Sequence, residues 1–281
     1  MTEKQARKNL TLEVLIATCG PEGGKRVAAM VLPVIDRVKY LVSWQDPQDA
    51  PVPEALSSRK DVRVLPLPGR GLSRNRNHCL DNATGDLLMI ADDDLRLYPE
   101  GLKAVIRTFE DNPTLEYGSF RYDSDYPKEY PAQECSLATL PKNFFQTSFE
   151  IILRRYSRAT ILRFHEQFGL GAEEYTAGEE ELLLKKARNQ NLDCRFFPIT
   201  TCFHPGQTTG IRSRLAPGAI KAKGVCTAVE YPLTAIPRIL INTIRIARAG
   251  QASFLRAFSL MTYGAWKATF TPLVKSYLDN K

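Results

Sequence analysis

The stretch Leu87-Leu88-Met89-Ile90-Ala91-Asp92-Asp93-Asp94 is the most informative segment of this 281-residue chain. An apolar run that ends in a carboxylate cluster is typical of a buried strand that delivers negative charge to one edge of a sheet. Three adjacent carboxylates repel one another, so they require a cation, basic partners or open water. Because Mg²⁺ and Mn²⁺ prefer oxygen ligands, a divalent metal site is one interpretation of the triplet. A solvated acidic turn is the other.

Short apolar runs and segments of helical periodicity alternate along the first part of the chain. The predicted strands are 12–17, 38–43, 62–65 and 87–91, and the predicted helices are 25–38, 73–83 and 99–110. Strands that alternate with helices at this spacing indicate βαβ units and a mainly parallel sheet. Ligands of such sheets bind beyond the carboxyl ends of the strands. The aspartates would lie at such an end, which favours the functional interpretation.

Basic charge is concentrated in the C-terminal quarter of the chain. Residues 205–281 contain 11 Lys or Arg and two acids, a balance of +9, whereas residues 1–204 contain 27 basic and 29 acidic residues, a balance of −2. Phosphates of a ligand, an anionic membrane surface and nucleic acid are the candidate partners. No nucleic-acid-binding motif accompanies the charge, so we expect no nucleic acid.

Cysteine usage and hydropathy indicate a cytoplasmic protein. The six cysteines are scattered without a CxxC pair, which favours free thiols over a disulfide framework or a zinc site. Residues 1–9 are polar and charged, unlike a signal peptide. No window reaches the roughly 18 uncharged apolar residues of a membrane span.

Two motifs precede the aspartate triplet. The first is Gly69-Arg70-Gly71-Leu72-Ser73-Arg74-Asn75-Arg76-Asn77, and the second is Ala83-Thr84-Gly85-Asp86. Together with Asp92-x-Asp94 they resemble, in order and spacing, the aRN, a-x-G-D and D-x-D motifs of the family 2 inverting glycosyltransferases with the GT-A fold. With the later motifs, the resemblance covers about residues 11–210.

The resemblance implies a Rossmann-like α/β fold, with a mixed, mainly parallel central sheet flanked by helices. We expect this GT-A catalytic domain over residues 1–215 and a basic, amphipathic helical extension over 216–281. The resemblance also implies that Asp94 binds Mn²⁺ or Mg²⁺ and that Asp92 lies near the ribose or sugar of a nucleotide-diphosphate donor. Asp93 would position either the metal or the donor. A metal that bridges carboxylates and phosphate oxygens would neutralise the charge of the leaving diphosphate.

Further donor contacts are expected from the helix before the triplet and from the first two strands. Arg74, Arg76 and Asn77 suit the nucleotide or the sugar, although one of the arginines can equally be a surface ion-pair residue. Thr18, at the end of the first strand, is another nucleotide contact.

One departure from the family pattern concerns the base of the nucleotide. Val42-Ser43-Trp44-Gln45-Asp46 stands where the family commonly has Asp-Asp-Gly-Ser. Trp44 is expected to stack on a base, and Gln45 or Asp46 to form hydrogen bonds with it. The alternative is that Trp44 belongs to the core.

A second carboxylate cluster, Gly178-Glu179-Glu180-Glu181, precedes three leucines. It resembles the family motif G-E-D-x-x-L, in which the third position is the general base, and this implies Glu180 as the base. Glu180 also shares an apolar helical face with Leu183 and Leu184, so we expect its carboxylate to point inward. The alternative is that all three glutamates simply favour a helix N-terminus.

Two other groups are expected near the acceptor. Glu179 fits a capping box with Thr176 and is included among the acceptor contacts. Phe168-Gly169-Leu170-Gly171-Ala172 resembles the Gly-rich loop that precedes the helix in the family, where Gly169 and Gly171 would let an acceptor sugar approach the backbone. An ordinary turn is the alternative.

The family resemblance also implies a histidine ligand of the metal. His204 follows extended segments and should lie at a strand end, so it is the candidate, with a purely structural histidine as the alternative. Arg212 and Arg214, shortly afterwards, would close over the diphosphate.

The C-terminal segments 236–249 and 254–266 are apolar on one face and partly basic on another. They suit either peripheral contact with an anionic membrane at the inner face of the cell membrane or packing on the catalytic domain.

These expectations describe a metal-dependent inverting glycosyltransferase. It would transfer a sugar from a nucleotide-diphosphate donor, expected to be a UDP-sugar, to a glycan or lipid-linked glycan in surface polysaccharide synthesis. The alternatives are a sugar-phosphate nucleotidyltransferase and a non-catalytic homologue that binds glycans or membranes.

Overall fold

The computed structural model describes residues 9–206, 216–250 and 252–279. Arg212 and Arg214 lie outside the described residues. The described chain forms two compact units. The first contains residues 9–70, 74–163 and 190–206, and the second contains residues 71–73, 164–189 and the C-terminal residues from 216 onward.

A mixed sheet forms the centre of the first unit. In chain order its strands are β1 (Leu12–Cys19), β2 (Val38–Gln45), β3 (Val62–Leu67), β4 (Leu87–Asp92), β5 (Arg96–Leu97), β6 (Tyr117–Ser124), β7 (Cys135–Ser136), β8 (Ile151–Arg154) and β9 (Cys194–His204). Their order in the sheet is β3-β2-β1-β4-β8-β6-β9-β5, with β7 also paired to β9. The strands β3, β2, β1 and β4 are parallel to one another, as are β6 and β9. Strand β8 runs antiparallel between β4 and β6, so the predicted mixed, mainly parallel sheet is confirmed.

Helices accompany the sheet and make up most of the second unit. Those before β6 are α1 (Gly23–Ala29), α2 (Glu54–Ser57), α3 (Leu72–Asn82) and α4 (Pro99–Asp111). The later ones are α5 (Glu179–Asn189), α6 (Pro217–Glu230), α7 (Ala235–Arg248), α8 (Phe254–Phe270) and α9 (Pro272–Asp279). Single 3₁₀ turns cover Ser148–Glu150, Arg158–Ile161 and Pro232–Thr234. None of the described helices is both long and apolar enough to cross a bilayer.

The first helix is shorter than its periodicity predicts. The predicted segment 25–38 is helical only as far as Ala29. Val31 and Arg37 adopt positive φ angles of 51° and 63°, which a right-handed helix does not accommodate. Pro33 lies between them and cannot donate the backbone hydrogen bond that a helix interior requires. The prediction was therefore wrong over residues 30–38.

Buried aliphatic side chains of β1, β2 and β4 form the core of the first unit, together with residues of α1 and α4. An aromatic series extends this core, because Phe120 stacks on Phe109 and on Phe197 at centroid distances of 6.3 and 5.4 Å. These three strands are buried on both faces. Continuous apolar runs are what strands of that kind require, which explains why they were predictable.

A different core holds the second unit together. Phe168 stacks on Tyr175 at 4.5 Å, and both pack with Leu182 of α5 against α6 and α9. Helices α6 and α8 approach backbone to backbone, because a Cβ atom at Gly224 would lie 2.1 Å from the Met261 carbonyl oxygen. Residues 164–189 thus group with the C-terminal helices, whereas the predicted domain boundary near residue 215 placed them with the sheet.

The motif Ala83-Thr84-Gly85-Asp86 sets the register between β1 and β4 at the start of both strands. The carboxylate of Glu13, which is only 1% exposed, accepts hydrogen bonds from the backbone N–H groups of Thr84 and Gly85. Asp86 accepts from the backbone N–H of Thr11 at 2.8 Å and from its hydroxyl at 2.6 Å. The motif therefore has a structural role at the edge of the sheet opposite to the aspartate triplet.

We predict that Gly85→Ala destabilises the protein. The new Cβ would lie 2.7 Å from Cβ and 2.9 Å from the backbone nitrogen of Glu13, so the β1–β4 register must shift. Overpacking of this kind costs about 1–3 kcal/mol of unfolding free energy. Urea denaturation of the variant and the wild type measures this loss of unfolding free energy. An unchanged unfolding free energy in Gly85→Ala would contradict the steric explanation.

Candidate active site

Several polar side chains meet at the carboxyl edge of the sheet. Strand pairing places Ala17 opposite Asp92 and Thr18 opposite Trp44, and it places Ser124 opposite His204. Because β1, β2, β4, β6 and β9 all point the same way, their last residues lie along one edge. Binding sites of open α/β sheets occur at such an edge.

Asp92 contacts a buried arginine and a serine. The Arg76 guanidinium, which is 2% exposed, donates to the Asp92 carboxylate at 3.1 Å and to the Ser148 hydroxyl at 2.7 Å. Ser148 in turn donates to the same carboxylate oxygen at 3.3 Å. Both donors hold the orientation of the Asp92 carboxylate.

Asp93 contacts a different arginine. Its Oδ2 atom accepts from Arg26 at 2.8 Å and from the Thr18 hydroxyl. Arg26 also donates to the Thr18 hydroxyl at 3.1 Å and to the Cys19 carbonyl at 2.7 Å. Asp93 therefore links α1 to the end of β1.

Asp94 faces an imidazole instead of a guanidinium group. The Nε2 atom of His204 lies 3.5 Å from Oδ2 of Asp94, whose side chain is half-exposed. This approach depends on the pairing of β5 with β9, which places Arg96 opposite Phe203 and so folds the chain after Asp94 back toward His204. Burial raises the pKa of Asp94, the imidazole lowers it, and the neighbouring Asp92 and Asp93 raise it further.

The surroundings of Asp94 fit a hard divalent cation. Among the residues that the structure describes, two of the three adjacent carboxylates face a guanidinium group, and the third does not. Carboxylate oxygen and imidazole nitrogen are both ligands of Mn²⁺, and a cation would offset the repulsion that raises the pKa of Asp94. In the part of the chain that the structure describes, no three Asp, Glu, His or Cys side chains form a complete metal site. Mg²⁺ commonly binds through one or two carboxylates together with substrate phosphates.

The turn Ser148–Glu150 supports two of these side chains. Ser148 contacts Arg76 and Asp92, and the ring of Phe149 stacks on His204 at a centroid distance of 5.2 Å and an interplanar angle of 13°. Nδ1 of His204 has no hydrogen-bond partner among the described residues. Packing against Phe149 therefore orients the imidazole.

A buried ion pair holds the turn in place. The Glu150 carboxylate accepts from the backbone N–H of Thr147 at 2.6 Å, which closes a capping box, and from Lys128 at 2.6 Å. Lys128 also donates to the Phe145 carbonyl at 2.7 Å and lies 4.8 Å from the centroid of the Tyr130 ring. Its side chain is 8% exposed, and that of Glu150 is 1% exposed.

Trp44 and Gln45, which are both predicted to contact the base, differ in their hydrogen bonding. The indole N–H of Trp44 donates to the Gly20 carbonyl at 2.7 Å, and its ring occupies the space beside Gly23 and Gly24. These contacts favour the alternative that Trp44 belongs to the core. Gln45 is also buried, but its side-chain nitrogen has no partner among the described residues. An unpaired buried amide at a strand end is a suitable donor to a ligand.

Helix α3 presents a polar buried face to the sheet edge. Asn75 is 1% exposed and donates to the Thr18 carbonyl at 2.9 Å, and Asn77 is also buried. Arg74 is directed elsewhere, since it donates to the Pro68 carbonyl at 2.8 Å. Arg76 is therefore the arginine of this motif that contacts the aspartate triplet.

Helix α5 begins two residues later than the predicted capping box requires. The backbone N–H of Leu182 donates to the Gly178 carbonyl, so Gly178 precedes the helix and Glu179 is its first residue. The Thr176 hydroxyl has no partner among the described residues, and the capping-box prediction is wrong. Glu179 is the most buried carboxylate of the cluster, whereas Glu180 is half-buried.

The glycines of the loop before α5 have a packing function. Gly169 has a φ angle of 101°, and a Cβ there would lie 2.9 Å from both the Glu179 carboxyl carbon and the Ser73 hydroxyl. A Cβ at Gly171 would lie 3.4 Å from Cα of Gly71. The Ser73 hydroxyl donates to the Phe168 carbonyl at 2.6 Å, so Ser73 ties the two loops together instead of capping α3. The acceptor contacts of Gly169, Gly171 and Glu179 remain predictions.

Several residues at the sheet edge were not found from the sequence. These are Arg26, Asn75, Lys128, Ser148, Phe149 and Glu150. Asn75 lies within a recognised motif, but its hydropathy predicts exposure. The segment 116–149 has no clear period, so nothing in the sequence relates Ser148 or Phe149 to the aspartates. Their contacts follow from β8 lying between β4 and β6.

The chain matches a family profile over part of its length. The profile of glycosyl transferase family 2 matches residues 43–172, a range that includes the aspartate triplet and the motifs before it. No curated protein sequence matches the chain.

Solved structures share the fold at low sequence identity. Staphylococcus aureus TarS 1-349 in complex with UDP-GlcNAc is 13% identical, covers 97% of this chain and 76% of its own, and has a TM-score of 0.53. The same protein in complex with UDP is 14% identical, covers 89% and 75%, and has a TM-score of 0.51. A mycobacterial protein is 15% identical, covers 79% and 76%, and has a TM-score of 0.53. These likenesses support the predicted GT-A fold.

We predict that Lys128→Met destabilises the first unit much more than the double variant Lys128→Met/Glu150→Gln does. The single change leaves a carboxylate that is 1% exposed without its cation, which typically costs about 3–5 kcal/mol. Glutamine keeps an oxygen that accepts from Thr147 but removes the charge. Urea unfolding of both single variants and the double variant measures the coupling. Additive losses would show that the ion pair contributes no coupling free energy.

Proposed function

We propose that this chain, which has the GT-A fold, is a family 2 glycosyltransferase that transfers a sugar from a nucleotide-diphosphate donor to a hydroxyl group with inversion. A UDP-sugar is the proposed donor. The family match over residues 43–172 supports the reaction class, and TarS, which shares the fold, forms complexes with UDP and UDP-GlcNAc. The observation that carries the proposal is the arrangement of Asp92, Asp93 and Asp94, in which the first two carboxylates pair with guanidinium groups and the third, among the described residues, lies beside an imidazole.

Asp94 and His204 are the proposed ligands of Mn²⁺ or Mg²⁺. Their side chains lie 3.5 Å apart, a separation suited to two ligands of one ion. When bound, the metal would neutralise the charge that the departing diphosphate gains as the glycosidic bond breaks. Phe149 orients the imidazole for this role.

The donor is proposed to bind along the ends of β1, β2 and β4. Asp92, oriented by Arg76 and Ser148, suits hydroxyl groups of the ribose or the sugar. Gln45 supplies a buried amide without a described partner, which suits the edge of a base. Thr18 and Asp93 are already bonded to Arg26, so they support the donor site through that residue. Arg74, Asn77 and Trp44 remain predicted donor contacts.

Glu180 is the proposed general base. It occupies the first turn of α5 and is half-buried, so it is accessible to a substrate hydroxyl. Its carboxylate would accept the proton of the acceptor hydroxyl as the hydroxyl oxygen attacks the anomeric carbon and the nucleotide diphosphate leaves. A single displacement of this kind inverts the anomeric configuration. The proposed acceptor is a glycan or lipid-linked glycan of a surface polysaccharide, at the cytoplasmic face of the membrane.

The metal assignment predicts that nucleotide binding depends on Asp94. We expect Mn²⁺ to raise the melting temperature with UDP in the wild-type protein and to have little effect in Asp94→Asn. Mutation of residues that only contact a metal ligand lowers metal affinity roughly 10–100-fold, so loss of the ligand itself should lower it at least as much. The matched control is Asp36→Asn, because the Asp36 side chain is 97% exposed and distant in sequence from the triplet. A Mn²⁺ response retained in Asp94→Asn would exclude Asp94 as a ligand.

The assignment of the base predicts a separation of binding from turnover. Glu180→Gln should bind UDP as the wild type does but transfer sugar about 10²–10⁴-fold more slowly, because the amide cannot accept the proton. Transfer is measured as UDP release from UDP-sugars in the presence of acceptor glycans. The neighbouring, exposed Glu181 offers the control Glu181→Gln, which should retain activity. Normal transfer by Glu180→Gln would assign the base elsewhere.

A further inference from the structure

The C-terminal helices expose a large set of apolar side chains. We call this set the outer face, and its members are Leu233, Ile236, Leu240, Leu255, Trp266 and Phe270. Leu233, Ile236, Leu255 and Phe270 are 72–98% exposed. Single exposed apolar residues are ordinary in folded proteins, but several large ones on two helices that contact each other indicate an interaction surface.

Helix α7 has more apolar residues than its packing buries. Ile239, Thr243 and Ile246 form the buried stripe of this helix. Ile236 and Leu240 lie four residues apart on the adjacent stripe and remain exposed. The helix therefore packs with one part of its apolar face and presents another part outward.

Helix α8 repeats this pattern with aromatic residues. Its buried stripe consists of Ala257, Met261 and Gly264. Trp266 and Phe270 lie four residues apart on another side, and Trp266 is 51% exposed. Exposed aromatic residues on amphipathic helices are typical of helices that lie in a membrane interface.

The charge of these segments has a single sign. Residues 231–278 contain no Asp or Glu, and their basic residues are Arg238, Arg245, Arg248, Arg256, Lys267 and Lys275. A surface of this charge attracts anionic lipid headgroups, each basic residue contributing near the membrane. It disfavours an isologous contact between two copies, because such a contact would bring the same basic residues together.

A small basic cavity adjoins α7. It has a volume of about 160 Å³ and is lined by residues that include Tyr231, Asn242 and Arg245. Arg238 also lines it and is held in place, since it donates to the Thr234 hydroxyl at 3.0 Å and lies 3.7 Å from the centroid of the Tyr231 ring. Two guanidinium groups and an amide are the donors that a phosphate group requires.

We propose that the outer face of α7 and α8 lies in the interface of an anionic membrane, whose headgroups the basic residues of these helices attract. Amphipathic helices with exposed Leu, Phe and Trp on one face and basic residues on another bind membranes through buried apolar area and attraction to anionic lipids. The inference is independent of the donor site, and it would place the enzyme where lipid-linked acceptors are found.

Flotation of the full-length protein with lipid vesicles tests the proposal. We expect binding to vesicles of phosphatidylglycerol and phosphatidylcholine, weaker binding in high salt, and little binding to pure phosphatidylcholine. Arg245→Gln should lower the partition coefficient about fivefold, the effect of removing one basic residue near an anionic surface. Leu255→Ser/Phe270→Ser should lower it by more. The matched control is Val31→Ser/Val34→Ser, which removes side chains that are 81% and 83% exposed in the first unit and should change nothing.

Tryptophan fluorescence adds a site-specific measurement. The chain contains two tryptophans, of which Trp44 is 2% exposed and Trp266 is 51% exposed. Anionic vesicles should shift the emission to shorter wavelength and protect it from acrylamide. Trp266→Phe should retain flotation but lose the spectral response.

Three results would overturn the proposal. They are absence of flotation with anionic vesicles, equal binding to neutral vesicles, and a concentration-dependent dimer without lipid that Leu255→Ser/Phe270→Ser abolishes. The last result would assign the outer face to a second copy of the chain. Circular dichroism and thermal melting establish that each variant is folded, and UDP binding by the same samples separates failure of this inference from failure of the proposed donor site.

Discussion

Mutual repulsion among Asp92, Asp93 and Asp94 is the constraint on which the rest of the site depends. Three carboxylates at one strand end are stable only if positive charge or hydrogen-bond donors reach each of them. The first faces Arg76 from α3, and the second faces Arg26 from α1. The third lies opposite an imidazole. The charge is therefore offset unevenly, and this unevenness makes the third position the proposed place for a cation.

The supporting contacts are as important as the charged groups themselves. Ser148 and Phe149 each hold one partner of the triplet, and both belong to a turn that the buried pair of Lys128 and Glu150 keeps in place. A buried ion pair offers little net stability relative to apolar residues, but breaking it is costly. It therefore serves to define one conformation of the turn, which the geometry of the site requires.

Local pattern predicted the sheet because the physical cause of the pattern is local. Strands buried on both faces need continuous apolar runs, and β1, β2 and β4 have them. The same reasoning failed for residues 30–38, where Pro33 and positive φ angles end the helix despite its apolar spacing. It failed again before α5, where the helix starts at Glu179 and leaves Thr176 outside.

The sequence by itself determined that carboxylates would stand at the end of a central strand, since Leu87–Asp92 carries its own apolar run and its own charge. Only the tertiary structure decided which partner each carboxylate has. His204 reaches Asp94 because β5 pairs with β9, and Ser148 reaches Asp92 because β8 lies beside β4. Those pairings join residues more than 50 positions apart. These pairings are stabilised by burial of apolar surface between segments that are distant in sequence. The periodicity of a short segment therefore does not predict them.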